Sequence, residues 1–376
     1  MTWAIWITGV PGSGKSALAR ATAETLRARG VPVKILELDA LRKILTPHPT
    51  YSDHEREAVY RLLAFMAATL AAAGVPVIVD ATAHRRRWRE FARELIPRFG
   101  EVQLECPLEV AREREAARAA GNAPRGIYAH AGSAGATVPG VDREYERALA
   151  PELTIDTRAV GVAAGADQIV ALAKRLGAES PLAEPRGAGW ALWITGRPGS
   201  GKTTIARRVM EALTARGIRV WMVEATALRR IVWPVAVENI EELVHRAVVC
   251  LATLLVEAGI PVIVDATGHH RRWRDLGRRL IPRFAEVQLV CPPEVCANRE
   301  RATRWGLTGR EGVLSAPTVG VGIDLILDYE PALAPELTIY TDVQDCATAA
   351  GDVLFVAERL HRPAVIHEGG DRHASE

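Results

Sequence analysis

The chain has 376 residues, 48% of them hydrophobic, and is long enough to bury the cores of two ordinary domains. Its formal net charge of +2 is too small to indicate a nucleic-acid partner, because such partners favour a strongly basic face. The five cysteines are scattered and odd in number, which argues against a disulfide framework or a structural zinc site and favours reduced thiols in the cytoplasm.

The first predicted element is a short buried strand over residues 3–8, which leaves no room for a targeting peptide before it. It runs into the loop GVPGSGKS at 9–16 and then into a helix over 15–29, and the loop returns as GRPGSGKT at 196–203. Both loops fit the phosphate-binding pattern G-x-x-x-x-G-K-[ST], whose lysine reaches the outer phosphates and whose hydroxyl ligates Mg²⁺. Two ATP sites with Mg²⁺ are therefore predicted. The residues expected to bind the nucleotide in these loops are Gly9, Pro11, Gly12, Ser13, Gly14, Lys15, Ser16, Gly196, Gly199, Ser200, Gly201, Lys202, Thr203 and Thr204, with Ser16 and Thr203 as the metal ligands.

Strands and helices alternate along the rest of the first half. The predicted strands cover 33–38, 75–80, 101–105 and 152–155, and the predicted helices cover 54–73, 86–96 and 108–119. Residues 62–79 carry no charge and are long enough for a membrane span, but Gly74 and Pro76 divide them into a buried helix and a strand. The alternation predicts an α/β fold, a parallel sheet with helices on both faces and ligands at the carboxyl ends of the strands.

Acidic and basic side chains follow two of these strand ends. The second strand delivers Asp39, a possible base or magnesium ligand, and Arg42, a possible anion-binding residue; a helix N-cap followed by a surface arginine is the alternative. The third strand ends at Asp80, with Asp265 as its counterpart in the second half, and this aspartate is expected to serve magnesium or the acceptor hydroxyl. Lys15, Asp39 and Asp80 are therefore the predicted catalytic residues.

A basic segment follows the third strand, HRRRWRE in the first half and HHRRWRD in the second. Such clusters usually form a solvated helix face, which is the expectation for Arg87 and Arg89. Arg86 lies nearest the strand end and is a predicted anion-binding residue. His84 and His270 are expected at the surface rather than in a metal site, because no second ligand is spaced to join them.

Two further features point to the substrates. Arg114 and Arg299 follow the fourth strand of their halves by several residues and are expected to lie against the nucleotide base or its phosphates. The glycine-rich segment 121–146 is predicted to be a lid over a bound acceptor, with a plain surface loop as the alternative.

The two halves are copies of one domain. Residues 74–110 return as 259–295 with few changes, a period of 185 residues that is too long for a solenoid repeat. The predicted organisation is two P-loop kinase domains, 1–176 and 190–362, with a linker at 177–189 and a disordered polar tail at 363–376.

The order of these segments resembles adenylylsulfate (APS) kinase. The resemblance rests on the P-loops, LELDALR at 36–42, YSDHEREAVYR at 51–61, CPLEVARERE at 106–115 and PELTIDT at 151–157. It implies ATP-dependent phosphorylation of the 3′-hydroxyl of APS to give PAPS, with catalytic help from Asp39 and substrate contacts from Arg42, Arg56 and Tyr145. Members of the family are homodimers, so the resemblance also implies that the two copies pair within one chain as a pseudo-dimer.

Some residues depart from the family pattern. DATAHR at 80–85 stands where the family has F-I-S-P, and it looks more like P-loop kinases that act on polynucleotide 5′-ends, sugars or other small hydroxyl compounds. A kinase of another acceptor and a nucleotide-binding regulatory protein are therefore the alternatives. In the second copy Thr226 stands against Asp39 and Glu241 against Arg56, so its acceptor site is predicted to be degraded while its nucleotide site is kept.

Overall fold

The structure is a computed structural model. It describes residues 2–118, 122, 124, 126–133, 136–177, 187–308 and 328–362. The predicted tail and most of the predicted linker, residues 178–186, lie outside the described residues. The domain boundaries therefore stay predictions.

The first half forms a five-stranded, all-parallel sheet in the order β2-β3-β1-β4-β5. Its strands are β1 (Ala4–Thr8), β2 (Lys34–Glu37), β3 (Val77–Asp80), β4 (Phe99–Glu105) and β5 (Leu153–Asp156). Its helices are α1 (Lys15–Ala28), α2 (Leu38–Leu45), α3 (Asp53–Ala72), α4 (Arg86–Leu95), α5 (Leu108–Ala116) and α6 (Val162–Gly177), with a 3₁₀ turn at Ile127–His130.

The second half repeats this architecture in a second parallel sheet, whose order is β7-β8-β6-β9-β10. Its strands are β6 (Ala191–Gly196), β7 (Trp221–Glu224), β8 (Val262–Asp265), β9 (Phe284–Val290) and β10 (Leu337–Tyr340). Its helices are α7 (Lys202–Ala215), α8 (Ala225–Val232), α9 (Ile240–Glu257), α10 (Arg271–Leu280), α11 (Pro293–Thr308) and α12 (Cys346–His361). The predicted α/β fold, with a parallel sheet in each half, is confirmed.

The register of the first sheet brings the predicted chemistry to one edge. Asp80 pairs in register with Ile7 of β1 and with Glu37 of β2, so the three strands end level with one another. The P-loop follows β1 directly, and α2 begins at Leu38 with no intervening loop. The P-loop, the start of α2 and the end of β3 therefore meet at the carboxyl edge of the sheet, where parallel sheets bind ligands.

Two helices of the first half were not predicted. α2 follows β2 immediately, and α6 packs against α1. The uncharged segment 62–79 divides as predicted into the end of α3 and strand β3. Among the described residues, no helix is long and apolar enough to cross a membrane.

Helices of the two halves share a hydrophobic cluster, in which α2 and α3 pack against α8 and α9. Arg61 Nε donates to the carbonyl oxygen of Ile231 at 2.7 Å, and Arg246 Nη1 donates to the carbonyl oxygen of Ile44 at 3.1 Å. Arg246 occupies in α9 the position of Arg61 in α3. The contact between the halves is therefore reciprocal.

Candidate active site

The first P-loop forms a backbone cradle at the start of α1. Gly14, the N-cap of α1, has φ 100°, and a Cβ added there meets nothing within 4 Å. Gly12 has φ 78° and lies so close to Ala111 that a Cβ would come within 2.1 Å of its carbonyl oxygen. Ser13 Oγ is buried without a hydrogen-bond partner in the described part of the chain. Open backbone, a helix N-terminus and an unpartnered hydroxyl suit a phosphate group.

The second P-loop has the same geometry. Gly201 has φ 94° with nothing within 4 Å of an added Cβ, and Gly199 has φ 78° against the carbonyl oxygen of Cys296. Ser200 Oγ is buried and, among the described residues, also unpartnered. Both halves therefore keep a phosphate cradle.

Lys15 is bonded to the backbone of the first P-loop and interacts with the charges of two carboxylates. Its Nζ donates to the carbonyl oxygens of Gly9 and Val10, each at 3.0 Å. Burial lowers the pKa of Lys15, and the negative charges of Asp80 and Asp39 oppose that shift. In the second half, Lys202 Nζ makes the corresponding bonds to the loop, each at 3.0 Å.

Asp80 pairs with the hydroxyl of the P-loop. Burial raises its pKa, while Lys15 and a hydrogen bond from Ser16 oppose the rise. In the second half the corresponding residues are hydrogen-bonded, and Thr203 Oγ1 donates to Asp265 Oδ2 at 2.6 Å. A P-loop hydroxyl beside a strand-end aspartate is the pair that holds Mg²⁺ in P-loop nucleotide hydrolases.

Asp39 lies in the first turn of α2, close enough to Lys15 for their charges to interact. Burial raises its pKa, and the positive charges of Lys15 and Arg42 oppose the rise. The N-cap of α2 is Glu37, and no side chain caps it, so the N-cap alternative for Asp39 is wrong. Arg42 is buried, so the surface alternative for that residue is wrong as well.

Arg42 and Arg56 form a buried basic pair beside Asp39. Both guanidinium groups lie over the ring of Tyr51, at 5.1 and 5.7 Å from its centroid. Arg42 Nη1 donates to Glu55 Oε1 at 2.9 Å, and Arg56 Nη2 donates to Thr137 Oγ1 at 2.7 Å. Each guanidinium keeps a nitrogen with no hydrogen bond to the described residues, so the pair has donors left for an anion.

The predicted lid touches the P-loop in the first half. Tyr128 OH donates to the carbonyl oxygen of Pro11 at 2.8 Å, and a Cβ added to Gly140 would lie 2.8 Å from Val10 Cγ1. Asp142 accepts hydrogen bonds from two backbone N–H groups of the segment. The segment therefore bridges the P-loop and, through its bond to Arg56, helix α3. Most of its counterpart in the second half, residues 309–327, lies outside the described residues.

Arg89 contradicts the prediction of a solvated helix face. It is fully buried, with Nε 2.6 Å from Glu101 Oε1 and further bonds to the carbonyl oxygens of Ala83 and Glu146. Charge excludes a residue from a core only when no partner is available, and Glu101 supplies one. Arg87, whose side chain is 56% exposed, is on the surface as predicted.

His84 also contradicts its predicted surface position. It is 2% exposed, packs edge-on against Trp88, and neither ring nitrogen has a hydrogen-bond partner in the described part of the chain. Burial lowers its pKa to about 4, so the ring is neutral near pH 7. Its counterpart by sequence is His269, which is also buried, whereas His270 is half-exposed.

Two predicted substrate residues bond elsewhere than the P-loop. Arg86 is half-exposed and pairs with Glu90 of its own helix at 3.3 Å. Tyr145 OH lies 2.9 Å from Thr8 Oγ1, at the end of β1, where its ring also faces the guanidinium of Arg89. Tyr329 repeats this bond to Thr195 at 3.1 Å, so both halves use the tyrosine to tie the chain to the first strand.

Arg114 bonds the turn after β5. Its guanidinium donates to Thr157 Oγ1 at 3.1 Å and to the Thr157 carbonyl oxygen at 2.9 Å. Arg299 makes the same two bonds to Thr341, at 3.3 and 2.7 Å. The arginine thus joins α5 or α11 to the turn after the edge strand of its sheet. Its predicted nucleotide contact stays a prediction.

One residue near the site was missed. The positive charge of Arg118, just after α5, acts on both Lys15 and Asp39: it adds to the burial that lowers the pKa of Lys15, and it opposes the burial that raises the pKa of Asp39. The sequence held a weak signal, since the second copy has Thr303 at the corresponding position. Arg118 is therefore a further difference between the halves, besides those at Asp39 and Arg56.

The comparisons with known proteins point to one family. The model of the adenylylsulphate kinase family matches residues 1–156 and again 188–340. A probable adenylyl-sulfate kinase of Archaeoglobus fulgidus is 37% identical over 158 residues, 42% of this chain and 97% of that protein. One of Pyrococcus abyssi is 37% identical over 174 residues, 46% of this chain and 95% of that protein. The APS kinase structure of Mycobacterium tuberculosis with AMPPNP and APS is 28% identical and covers 46% of this chain and 96% of its own, at a TM-score of 0.41.

Proposed function

The chain belongs to the adenylylsulphate kinase family and is an ATP-dependent kinase with two copies of the kinase domain, and we propose that its first copy phosphorylates the 3′-hydroxyl of APS to give PAPS. The observation that carries this proposal is the group formed by Asp39, Lys15 and the Arg42–Arg56 pair. It joins a carboxylate, a phosphate-binding lysine and two buried cations, which suits transfer to a hydroxyl of an anionic acceptor.

Each residue of the first site has a distinct part in this proposal. Ser16 and Asp80 are the residues that would hold Mg²⁺, which would supply positive charge to the phosphate oxygens. Lys15 stabilises the charge that develops on the transferred phosphoryl group. Asp39 accepts the proton of the acceptor hydroxyl, and Arg42 and Arg56 bind the anionic part of the acceptor.

The domain organisation belongs to the same proposal. We propose two kinase domains, 1–176 and 190–362, that pair through the reciprocal contacts of Arg61 and Arg246 as a pseudo-dimer. Such reciprocity is the mark of an isologous interface, in which both partners use the same surface. If residue i of one partner contacts residue j of the other, then residue j of the first contacts residue i of the second. The five cysteines lie in the described residues and form no disulfide, in keeping with the predicted cytoplasmic location.

The pairing predicts the oligomeric state of the separated halves. Residues 1–176 alone expose the apolar face of α2 and α3 that α8 and α9 cover in the intact chain, so this fragment is expected to form dimers. Light scattering coupled to size exclusion measures the mass of the fragment. A fragment that stays monomeric at tens of micromolar would count against the pseudo-dimer.

The lid contact gives a smaller prediction. The Tyr128→Phe variant is expected to raise the KM for the acceptor roughly two- to tenfold, because a net hydrogen bond contributes about 0.5–1.5 kcal/mol. Initial rates at varied acceptor concentration measure the change. Tyr340→Phe, at an exposed tyrosine, is the matched control and should leave the KM unchanged. An unchanged KM in Tyr128→Phe would show that this hydrogen bond does not contribute to acceptor binding.

The segment DATAHR at 80–85 favours a second candidate, a kinase of another hydroxyl acceptor. The deciding experiment measures ADP release from ATP with APS, with a 5′-hydroxyl oligonucleotide and with sugar acceptors such as gluconate. The proposal expects APS to give a kcat/KM at least about tenfold above any other acceptor, which corresponds to 1.4 kcal/mol. A higher value with another acceptor would replace APS, and ADP release with none of them would favour a regulatory nucleotide-binding protein.

A further inference from the structure

Three side chains with metal-ligating atoms converge in the second half. Glu241 and His245 lie one turn apart on α9, and His269 follows β8. One ligand atom from each lies within 4.8 Å of those of the other two, and no other such group of three is found in the described ranges. His245 and His269 are 1% and 4% exposed, so the cluster is built into the domain rather than spread over its surface.

The first half lacks this chemistry at the same positions. Its counterparts are Arg56, Tyr60 and His84, of which only the histidine is retained. A guanidinium stays protonated and has no lone pair to offer a cation, and the hydroxyl of Tyr60 already accepts a hydrogen bond from the backbone N–H of Ala83. At two of the three positions, the second half therefore has side chains that can bind a cation where the first half has none.

A hydrogen bond to the backbone fixes which nitrogen of His245 is left for a metal. His245 Nδ1 lies 2.8 Å from the carbonyl oxygen of Glu241, which can only accept, so Nδ1 carries the proton and Nε2 keeps its lone pair. A bond of this kind orients most metal-binding histidines.

His269 and Glu241 have bonding capacity left. His269 Nδ1 is buried and has no hydrogen-bond partner among the described residues, which is costly for a polar atom. Glu241 receives two hydrogen bonds from Arg229, at 3.0 and 2.7 Å, and a carboxylate offers about four lone-pair sites. A cation at this point would therefore meet an unpartnered nitrogen and a carboxylate with free lone pairs.

We propose that Glu241, His245 and His269 form a binding site for a divalent transition-metal ion of the zinc type. Two imidazoles and a carboxylate suit Zn²⁺ and leave a coordination position open, whereas Mg²⁺ prefers oxygen ligands alone. At Zn–N distances of about 2.0–2.1 Å, tetrahedral ligand atoms lie roughly 3.3 Å apart, so the side chains must close by ~1.5 Å at most. The ion restores to the second half the positive charge that the first half has in Arg56.

The test measures zinc binding by the intact, nucleotide-free chain, with Zn²⁺ alone as the probe and a chromophoric chelator as the competitor. The Glu241→Gln and His269→Ala variants are each expected to lower the affinity for one equivalent of zinc. The loss should exceed the roughly 10–100-fold that removal of a hydrogen-bond partner of a metal ligand costs. Glu241→Gln keeps the shape of a half-exposed side chain, so it tests the site even if His269→Ala does not fold.

His84→Ala is the matched control, because it removes the corresponding histidine of the first half. It is expected to bind zinc with the stoichiometry and affinity of the unmodified chain. If either Glu241→Gln or a folded His269→Ala binds zinc as the unmodified chain does, or if the unmodified chain binds no zinc, the proposal is overturned. The measurement needs no acceptor, so its result is independent of the APS assignment.

Discussion

The Lys15→Ala variant is expected to transfer phosphate to APS about a hundredfold or more slowly than the unmodified chain. Lys15 is bonded to the P-loop backbone and interacts with the charges of Asp39 and Asp80, so its own charge is held at the phosphate cradle. Removing it also leaves two buried carboxylates without their shared cation. Steady-state PAPS formation at saturating ATP and APS measures the loss.

Lys202→Ala is the matched control, because Lys202 makes the same two bonds to the second P-loop. It should leave PAPS formation within a few-fold of the unmodified chain. Thermal unfolding of both variants checks that each is folded. Near-normal turnover in a folded Lys15→Ala variant would mean that the first copy is not the active one.

Replacing Asp39 by asparagine is expected to lower kcat by about 10²–10⁴-fold, the range that a general base contributes. Affinity for ATP should stay within a few-fold, since the P-loop backbone carries most of the nucleotide binding. Because burial raises the pKa of Asp39, the base is lost as pH falls through that raised value, above the 3.8 of an ordinary aspartate. In a plot of kcat against pH, the unmodified chain should lose activity as the pH falls through that value. The Asp39→Asn variant should lack this fall on the acid side.

Thr226→Ala provides the control for that variant, because Thr226 holds the position of Asp39 in the second copy and cannot act as a base. It should change neither kcat nor the pH profile. An Asp39→Asn variant with full turnover and an intact acid limb would move the catalytic assignment to Asp80, which both copies retain as Asp80 and Asp265.

The sequence predicts the parts of the fold that depend on local pattern. Each P-loop was recognisable because strand, glycine loop and helix follow one another within about thirty residues. Asp39 and Asp80 were found because parallel strands bring their carboxyl ends to one edge of the sheet. Helix α2 was missed since it begins at Leu38 with no turn signal after β2.

Burial of charge and the joining of distant residues could not be predicted in this way. Arg89 stands in a run of arginines, and only the folded chain brings Glu101 to its guanidinium. The ligands proposed for zinc come from α9 and from the loop after β8. In the sequence alone, Glu241 and His245 are only two residues one turn apart in a predicted helix, and nothing indicates that His269 lies beside them. The signal that was available is the change of both Arg56 and Tyr60 between the copies.

The most direct test of the account follows the γ-phosphate of ATP into product in the intact chain carrying Lys202→Ala. The chain is supplied with APS and γ-labelled ATP, and the nucleotides are separated and identified by mass. Label is expected to enter the 3′-phosphate of PAPS at close to the rate of the unmodified chain, if the first copy alone transfers phosphate as proposed. Label that stays in ATP, or that reaches PAPS only when Lys202 is intact, would contradict a catalytic first copy.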